Sequence, residues 1–272
     1  MVDLAAVYSA AMFSEPARQS LRDFPRDLLS LILSGPWSWE AARQALEFVK
    51  KRRAVPVGEQ LVFPMEEVKV LAPLVRPGKI ICIRDVRVDG AEPVLDFKLP
   101  NTVVGPGDPI VKPIRAKHLE SRPKVAAVIG RAMKKASEDE VSKGIFGFTL
   151  LNDVSMKAPE SDGVFGSTLA MNCDSFCPVG PYILTADELR ENSGLELRCF
   201  LNGIAVKQAG IVGLHQSLVS SASWISQVIT LEPGDLIALP PAEWTEALIL
   251  RRGDIMKIEA EAFGTLENGV IE

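Results

Sequence analysis

Two histidines, His118 and His215, are the only imidazoles in the 272-residue sequence. A Ser-His-Asp or Cys-His relay would have to run through one of them. Neither neighbours a Gly-x-Ser-x-Gly elbow, since the sequence has none. His215 opens an apolar stripe and reads as a helix-surface residue, while His118, near Lys117 and Glu120, falls on a loop. The glycine patterns that cradle nucleotide phosphates are missing. In residues 103–108 (VVGPGD) the glycines flank a proline and suit a turn leading into a strand. Asp153 carries more weight. It follows the apolar run 148–151 and precedes Ser155, so it either faces a cleft from a strand end or closes an Asx turn. Cys82 and Cys199 lie in apolar runs and read as packing residues. Cys173 and Cys177 have three residues between them, but no second ligand pair follows at zinc-site spacing. All four read as reduced thiols of a cytoplasmic protein.

Two kinds of segment must position these residues. Residues 1–70 read as a helical segment and connector. Leu28, Leu29, Leu31, Ile32 and Leu33 form an apolar run ended by Ser34-Gly35-Pro36. Ser38 can then cap a second helix, with Glu40 in its first turn and Ala42, Ala45, Leu46 and Val49 as its buried stripe. From residue 71 to 272 short strands and turns take over. Strands are expected at 79–83, 125–129, 145–151, 195–201 and 255–262. Asn202-Gly203 between two such runs predicts a hairpin, and Pro106-Gly107 and Pro233-Gly234 predict turns. Ser137 to Glu140 and Thr185 to Glu188 each fit a capping box and predict helices. Leu218, Ala222, Ile225 and Ile229 predict a further amphipathic helix. The mixture points to an α+β fold that is mostly β, closed or rolled rather than doubly wound.

Composition narrows the function classes. Hydrophobic residues make up 47% and charged residues 24%, as in an ordinary globular protein. Thirty Lys and Arg against 35 Asp and Glu give a net charge of −5, which offers nucleic acid no basic face. Lys50-Lys51-Arg52-Arg53 is the one dense basic run and reads as a helix C-terminus. No apolar stretch is long enough for a membrane span, and no signal peptide is expected.

Seven segments then carry a family resemblance: 75–83 (VRPGKIICI), 103–110 (VVGPGDPI), 125–130 (VAAVIG), 147–155 (GFTLLNDVS), 174–189 (DSFCPVGPYILTADEL), 229–238 (ITLEPGDLIA) and 253–270 (GDIMKIEAEAFGTLENGV). Their order and spacing resemble the fumarylacetoacetate hydrolase family over residues 71–272. Residues 2–11 also resemble a segment that in the family follows two N-terminal strands, so this sequence is expected to start later than its relatives. The resemblance implies a mixed β-roll core, usually dimeric, with a cleft at the sheet's end. It implies Mg²⁺ or a similar ion that chelates a 2-oxo or 1,3-dioxo acid and stabilises a developing enolate, for hydrolysis, decarboxylation, hydration or isomerisation. Hard oxygen ligands suit that ion. In the family two come from a Glu-x-Glu pair and the third is the Asp of "NDVS".

Against that pattern, Asp153 is present, but Arg122 and Lys124 stand where the two glutamates belong. A cation about 5 Å from a divalent ion repels it by roughly 6 kcal/mol at an effective dielectric of 20. Lys157 replaces an arginine and Ala158 a second aspartate, Met171 replaces a lysine, and Gly90 stands where hydrolases carry a general-base histidine. The late "GTPAG" loop has become Pro240-Pro241-Ala242-Glu243-Trp244. The expectation is a repurposed or non-catalytic member without the ordinary Mg²⁺ site. Its cleft would be marked by Arg122, Lys124, Asp153, Lys157, Met171 and Asp174, with Arg122, Lys124 and Lys157 holding a small anion. The alternative is a divalent-metal enzyme with a rearranged set from Glu120, Asp153 and Asp174, taking Mg or Mn. The expected partner is a second copy or an active paralogue.

Overall fold

A computed structural model describes residues 24–51, 63–84, 93–157, 168–189, 196–210, 213–241, 244 and 246–272. The chain divides into two compact units between Lys69 and Val70.

In the first unit, α1 (Leu28–Leu33) starts at Asp27, whose carboxylate accepts from the Ser30 amide at 2.9 Å. The second helix, α2, spans Pro36–Lys51, two residues earlier than the expected cap. Proline fits a first helical turn, where its missing N–H costs nothing. Ser38 therefore lies inside α2, and its hydroxyl donates to the Leu31 and Gly35 carbonyls at 2.8 Å. Lys50 and Lys51 do end the helix, while Arg52 and Arg53 lie outside the described residues.

The second unit is mostly β. Its strands are β1 (Ile80–Ile83), β2 (Leu95–Lys98), β3 (Val103–Val104), β4 (Ile110–Val111), β5 (Leu119–Ile129), β6 (Ile145–Met156) and β7 (Cys177–Thr185). These are followed by β8 (Glu196–Leu201), β9 (Ile204–Gly210), β10 (Leu236–Leu239), β11 (Leu248–Leu250), β12 (Ile255–Ala260) and β13 (Gly264–Ile271). One sheet runs β2-β1-β10-β5-β6-β7-β3 with β11 also on β5, and the other runs β4-β13-β12-β8-β9. Both are mixed, because β1–β10, β3–β7 and β4–β13 pair parallel among antiparallel neighbours. Helix α3 (Glu138–Ser142) carries the capping box expected at Ser137 and Glu140. Helix α4 (Leu214–Val228) buries Leu218, Ala222 and Ile225, as its stripe requires. The second capping-box sequence makes only a turn over 186–189: the Thr185 hydroxyl meets Glu188 at 2.9 Å, yet no helix follows among the described residues. Side chains from both sheets and α4 share one core, including Ile81, Val125, Phe148, Leu218, Ile258 and Leu266.

Two strands outrun their sequence expectation, and both differences build the site. β6 continues past Leu151 through Asn152, Asp153, Val154 and Ser155. Asp153 is therefore neither at a strand end nor in an Asx turn. β5 begins at Leu119 and runs through Pro123. A proline interrupts a central strand unless its missing N–H has no ladder partner to lose. Here the neighbour on one side is split: β10 covers Val125 to Val128 and β11 covers Leu119 to Ser121. Among the described residues neither reaches 122–124, so Pro123 sits in a gap.

Candidate functional site

Among the described residues that gap leaves Arg122, Pro123 and Lys124 without a strand partner on one side of β5, while β6 holds the other side in register. Arg122 lies opposite Asp153, Pro123 opposite Asn152 and Lys124 opposite Leu151. The Lys124 side chain is fully buried, and its ammonium lies 3.5 Å from Asp153 Oδ2 and donates to the Ile83 carbonyl at the end of β1. A second buried ammonium, Lys98 of β2, lies 3.0 Å from Asp153 Oδ1. Its nitrogen also donates to the Val154 carbonyl at 2.7 Å and the Met171 carbonyl at 2.9 Å. Asn152 is held separately by the buried Ser121 hydroxyl at 2.6 Å. Polar residues stay in the interior of β6 because each has a partner.

Electrostatics follow the geometry. Burial alone would raise the Asp153 carboxyl, but Lys98, then Lys124 and more weakly Arg122 hold it below its ordinary value. Burial works against the Lys98 ammonium, yet Asp153 holds it above its ordinary value. Nearby thiols stay neutral: burial pushes Cys177 up to about 12 and Cys82 well above its usual range.

The structure brings together only part of the residues expected to mark the cleft. Arg122 sits across from Asp153 but turns its guanidinium to Glu120 at 2.8 Å, with Ser155 at 3.4 Å. Met171 contributes its backbone carbonyl. Asp174 is exposed and accepts from Asn101 at 2.7 Å. Lys157 is exposed just past β6, its amide donating to the His118 carbonyl. Gly90 and Ala158 lie outside the described residues. His215 packs edge-on against Phe148 in the core, with ring centroids 5.7 Å apart.

Lys98 was not anticipated. Its signal is an inverted alternation in β2, where Phe97 faces out and Lys98 faces in.

A divalent ion does not fit this residue set. Among the described residues Asp153 is the only acid in the cluster and two ammonium groups already crowd its oxygens, while Glu120 is engaged by Arg122. Among the described residues no three His, Cys, Asp or Glu side chains converge to hold an ion.

The family model described as fumarylacetoacetate (FAA) hydrolase C-terminal matches residues 83–271. The chain belongs to the fumarylacetoacetate hydrolase family. Its relatives include the mitochondrial oxaloacetate tautomerase Fahd2a of Rattus norvegicus, 28% identical over 91% of this chain and 80% of that protein. Among solved structures, 2-hydroxyhepta-2,4-diene-1,7-dioate isomerase from Mycobacterium marinum is 34% identical, covering 79% of this chain and 81% of that one, with a TM-score of 0.67. Maleylpyruvate hydrolase from Sphingobium sp. SYK-6, solved with manganese(II) and pyruvate, shares the fold at 23% identity and a TM-score of 0.73, covering 99% and 92% of the two chains. The mostly β fold with few helices is thus a fumarylacetoacetase-like fold. Among the described residues no helix is long and apolar enough to cross a membrane.

Proposed function

We propose that this family member holds a small 2-oxo or 1,3-dioxo acid at the gap beside Arg122 and Lys124, using its own cations where the family pattern calls for an ion. The observation that carries this reading is the charge of the buried cluster. Among the described residues two ammonium groups share one carboxylate, which leaves a net positive charge in a site nearly closed to water. A buried unpaired charge is costly, so an anion entering here would be strongly favoured. Lys98 has three acceptors for its three N–H groups. Among the described residues Lys124 has the Ile83 carbonyl and a long contact to Asp153, which leaves capacity for a ligand oxygen. Enzymatic turnover of such an acid, by isomerisation, decarboxylation or C–C hydrolysis, is favoured by the relatives, whose names are those of a tautomerase and an isomerase. A purely binding role would keep the same ligand.

A second reading is a divalent-metal enzyme with Glu120 and Asp153 rearranged around Mg or Mn, and family membership favours it. Calorimetry separates the two. Heat from pyruvate in buffer containing EDTA supports the first. Mn²⁺ binding at millimolar or tighter affinity that disappears in Asp153→Ala would sink it. For partners we propose a homodimer or a pairing with an active paralogue, readable as native mass with and without the co-expressed relative. The four cysteines, all free thiols, suit a reducing compartment such as the cytoplasm.

A further inference from the structure

The sequence contains two Asn-Gly pairs, Asn202-Gly203 and Asn268-Gly269, and the fold places them in opposite surroundings. Glycine after asparagine leaves the next backbone nitrogen unshielded, because it has no side chain. That nitrogen can attack the carboxamide carbon, which helps to make asparagine a thermolabile residue. We propose that Asn202 is a site of spontaneous deamidation in the folded chain, that Asn268 is not, and that the Asp254 carboxylate sets the rate at Asn202.

Asn268 lies inside β13, 2% exposed and opposite Met256 of β12. Its carboxamide nitrogen donates to the Gly105 and Asp108 carbonyls, both at 2.8 Å. Turning that side chain toward Gly269 would strand buried carbonyls, so the reaction is blocked there. Asn202 instead forms the exposed two-residue turn between β8 and β9, at φ 53°, with Gly203 at φ 78°. A Cβ on Gly203 would meet nothing within 4 Å, so the turn stands clear of other groups. What holds Asn202 is a clamp to the start of β12. Its carboxamide oxygen accepts from the Ile255 amide at 2.9 Å, and its nitrogen donates to Asp254 Oδ1 at 2.8 Å. Both bonds are exposed, and water can stand in for either partner, so the clamp slows the reaction without preventing it.

The step needs only water. The Gly203 nitrogen, its proton lost to solvent, forms a bond to Asn202 Cγ. The carboxamide nitrogen leaves as ammonia, taking a proton from solvent. Water then opens the succinimide ring at either carbonyl, to aspartate or isoaspartate. In sum, one amide and one water become one carboxylate and one ammonium ion. Either product loses the donor to Asp254 and sets a second carboxylate beside it, which weakens the tie between the β8–β9 hairpin and β12.

The test is peptide mapping by mass spectrometry on the full chain, sampled over time at mildly alkaline pH, folded and in guanidinium chloride. In guanidinium both pairs should deamidate at similar rates. In the folded chain Asn202 should react more slowly than in guanidinium, and Asn268 should stay intact. Asp254→Asn keeps an oxygen for the Arg251 amide, which Asp254 now accepts at 2.7 Å, but turns an NH₂ group toward Asn202. It should speed deamidation at Asn202 by roughly tenfold, the rate equivalent of one hydrogen bond to a charged group, and leave Asn268 intact. Loss at Asn268 as fast as at Asn202 in the folded chain, or an Asn202 as lasting as Asn268, overturns the choice of site. An unchanged Asn202 rate in folded Asp254→Asn overturns the role of the carboxylate. Where that variant folds poorly, Asp254→Ser removes the same carboxylate and serves the same comparison.

Discussion

Among the described residues Asp153 is the only counter-charge within reach of two buried ammonium groups, 3.0 Å from one and 3.5 Å from the other. Removing one partner of a buried ion pair typically costs about 3–5 kcal/mol, because the other charge is stranded. Asp153→Asn keeps the shape and loses the charge, so urea unfolding at neutral pH should show a loss in that range. A loss below about 1 kcal/mol, the scale of an exposed pair, would mean the cluster is not buried as described. The opposite exchange tests why the ion does not fit. Arg122→Glu with Lys124→Glu places three carboxylates, counting Asp153, at the family's ligand positions. The doubly substituted chain should acquire Mn²⁺ binding visible by calorimetry, while the parent shows none. Continued absence of binding would show that Lys98 alone blocks the ion. At this scale the sequence was partly legible. Arg122, Lys124 and Asp153 stood out because framework motifs fix their positions on both sides. Lys98 did not, because its inward aim depends on β2 lying at the sheet edge with Val154 and Met171 waiting to accept.

Elements with local causes were readable and those with distant causes were not. Asn202 (φ 53°) and Gly203 (φ 78°) make the hairpin turn that their identities demand. Ser137 caps α3 as its spacing with Glu140 requires. Among the described residues the second box makes a turn and no helix, since a capping pair alone does not offset the cost of nucleating one. The lengths of β5 and β6 were missed because Pro123 and Asn152-Asp153 look like stops. They are tolerated only through a split neighbour strand and buried partners, neither of which is local. Gly147 shows how tightly β6 is held on its other side. A Cβ there would come 2.3 Å from the Leu184 carbonyl oxygen and 2.7 Å from Ile183 Cγ2 in β7. Gly147→Ala should therefore destabilise by about 1–3 kcal/mol, the usual cost of overpacking. It should also speed amide exchange along β7, as read by mass spectrometry. Unchanged exchange with unchanged stability would mean that the two strands can part without cost.

The whole molecule should report the buried cluster through its pH dependence. The order of the two sheets could not be read from sequence, because β1 and β10 pair across most of the chain. Yet that order, β2-β1-β10-β5-β6, lets Lys98 and Lys124 converge on Asp153, and it makes a local charge pattern into a global stability term. The Asp153 carboxyl is held below its ordinary 3.8 in the fold. Its contribution is therefore present above about 4 and is lost as pH falls through the lower folded value. The Lys98 ammonium is held above its ordinary 10.5, so its contribution is full below that value and is lost as pH rises through the higher folded one. Between about pH 5 and 9 the cluster's share should be flat. The stability gap between wild type and Asp153→Asn, measured as urea midpoints across pH, should therefore be constant through that plateau. It should close at low pH, where the wild-type carboxyl also becomes neutral and the two chains carry the same stranded lysines. A gap that stayed constant as pH fell, however far below the ordinary carboxylate range, would mean that the substitution acts by packing, and that the Lys98–Asp153–Lys124 charges do not set the stability of this fold.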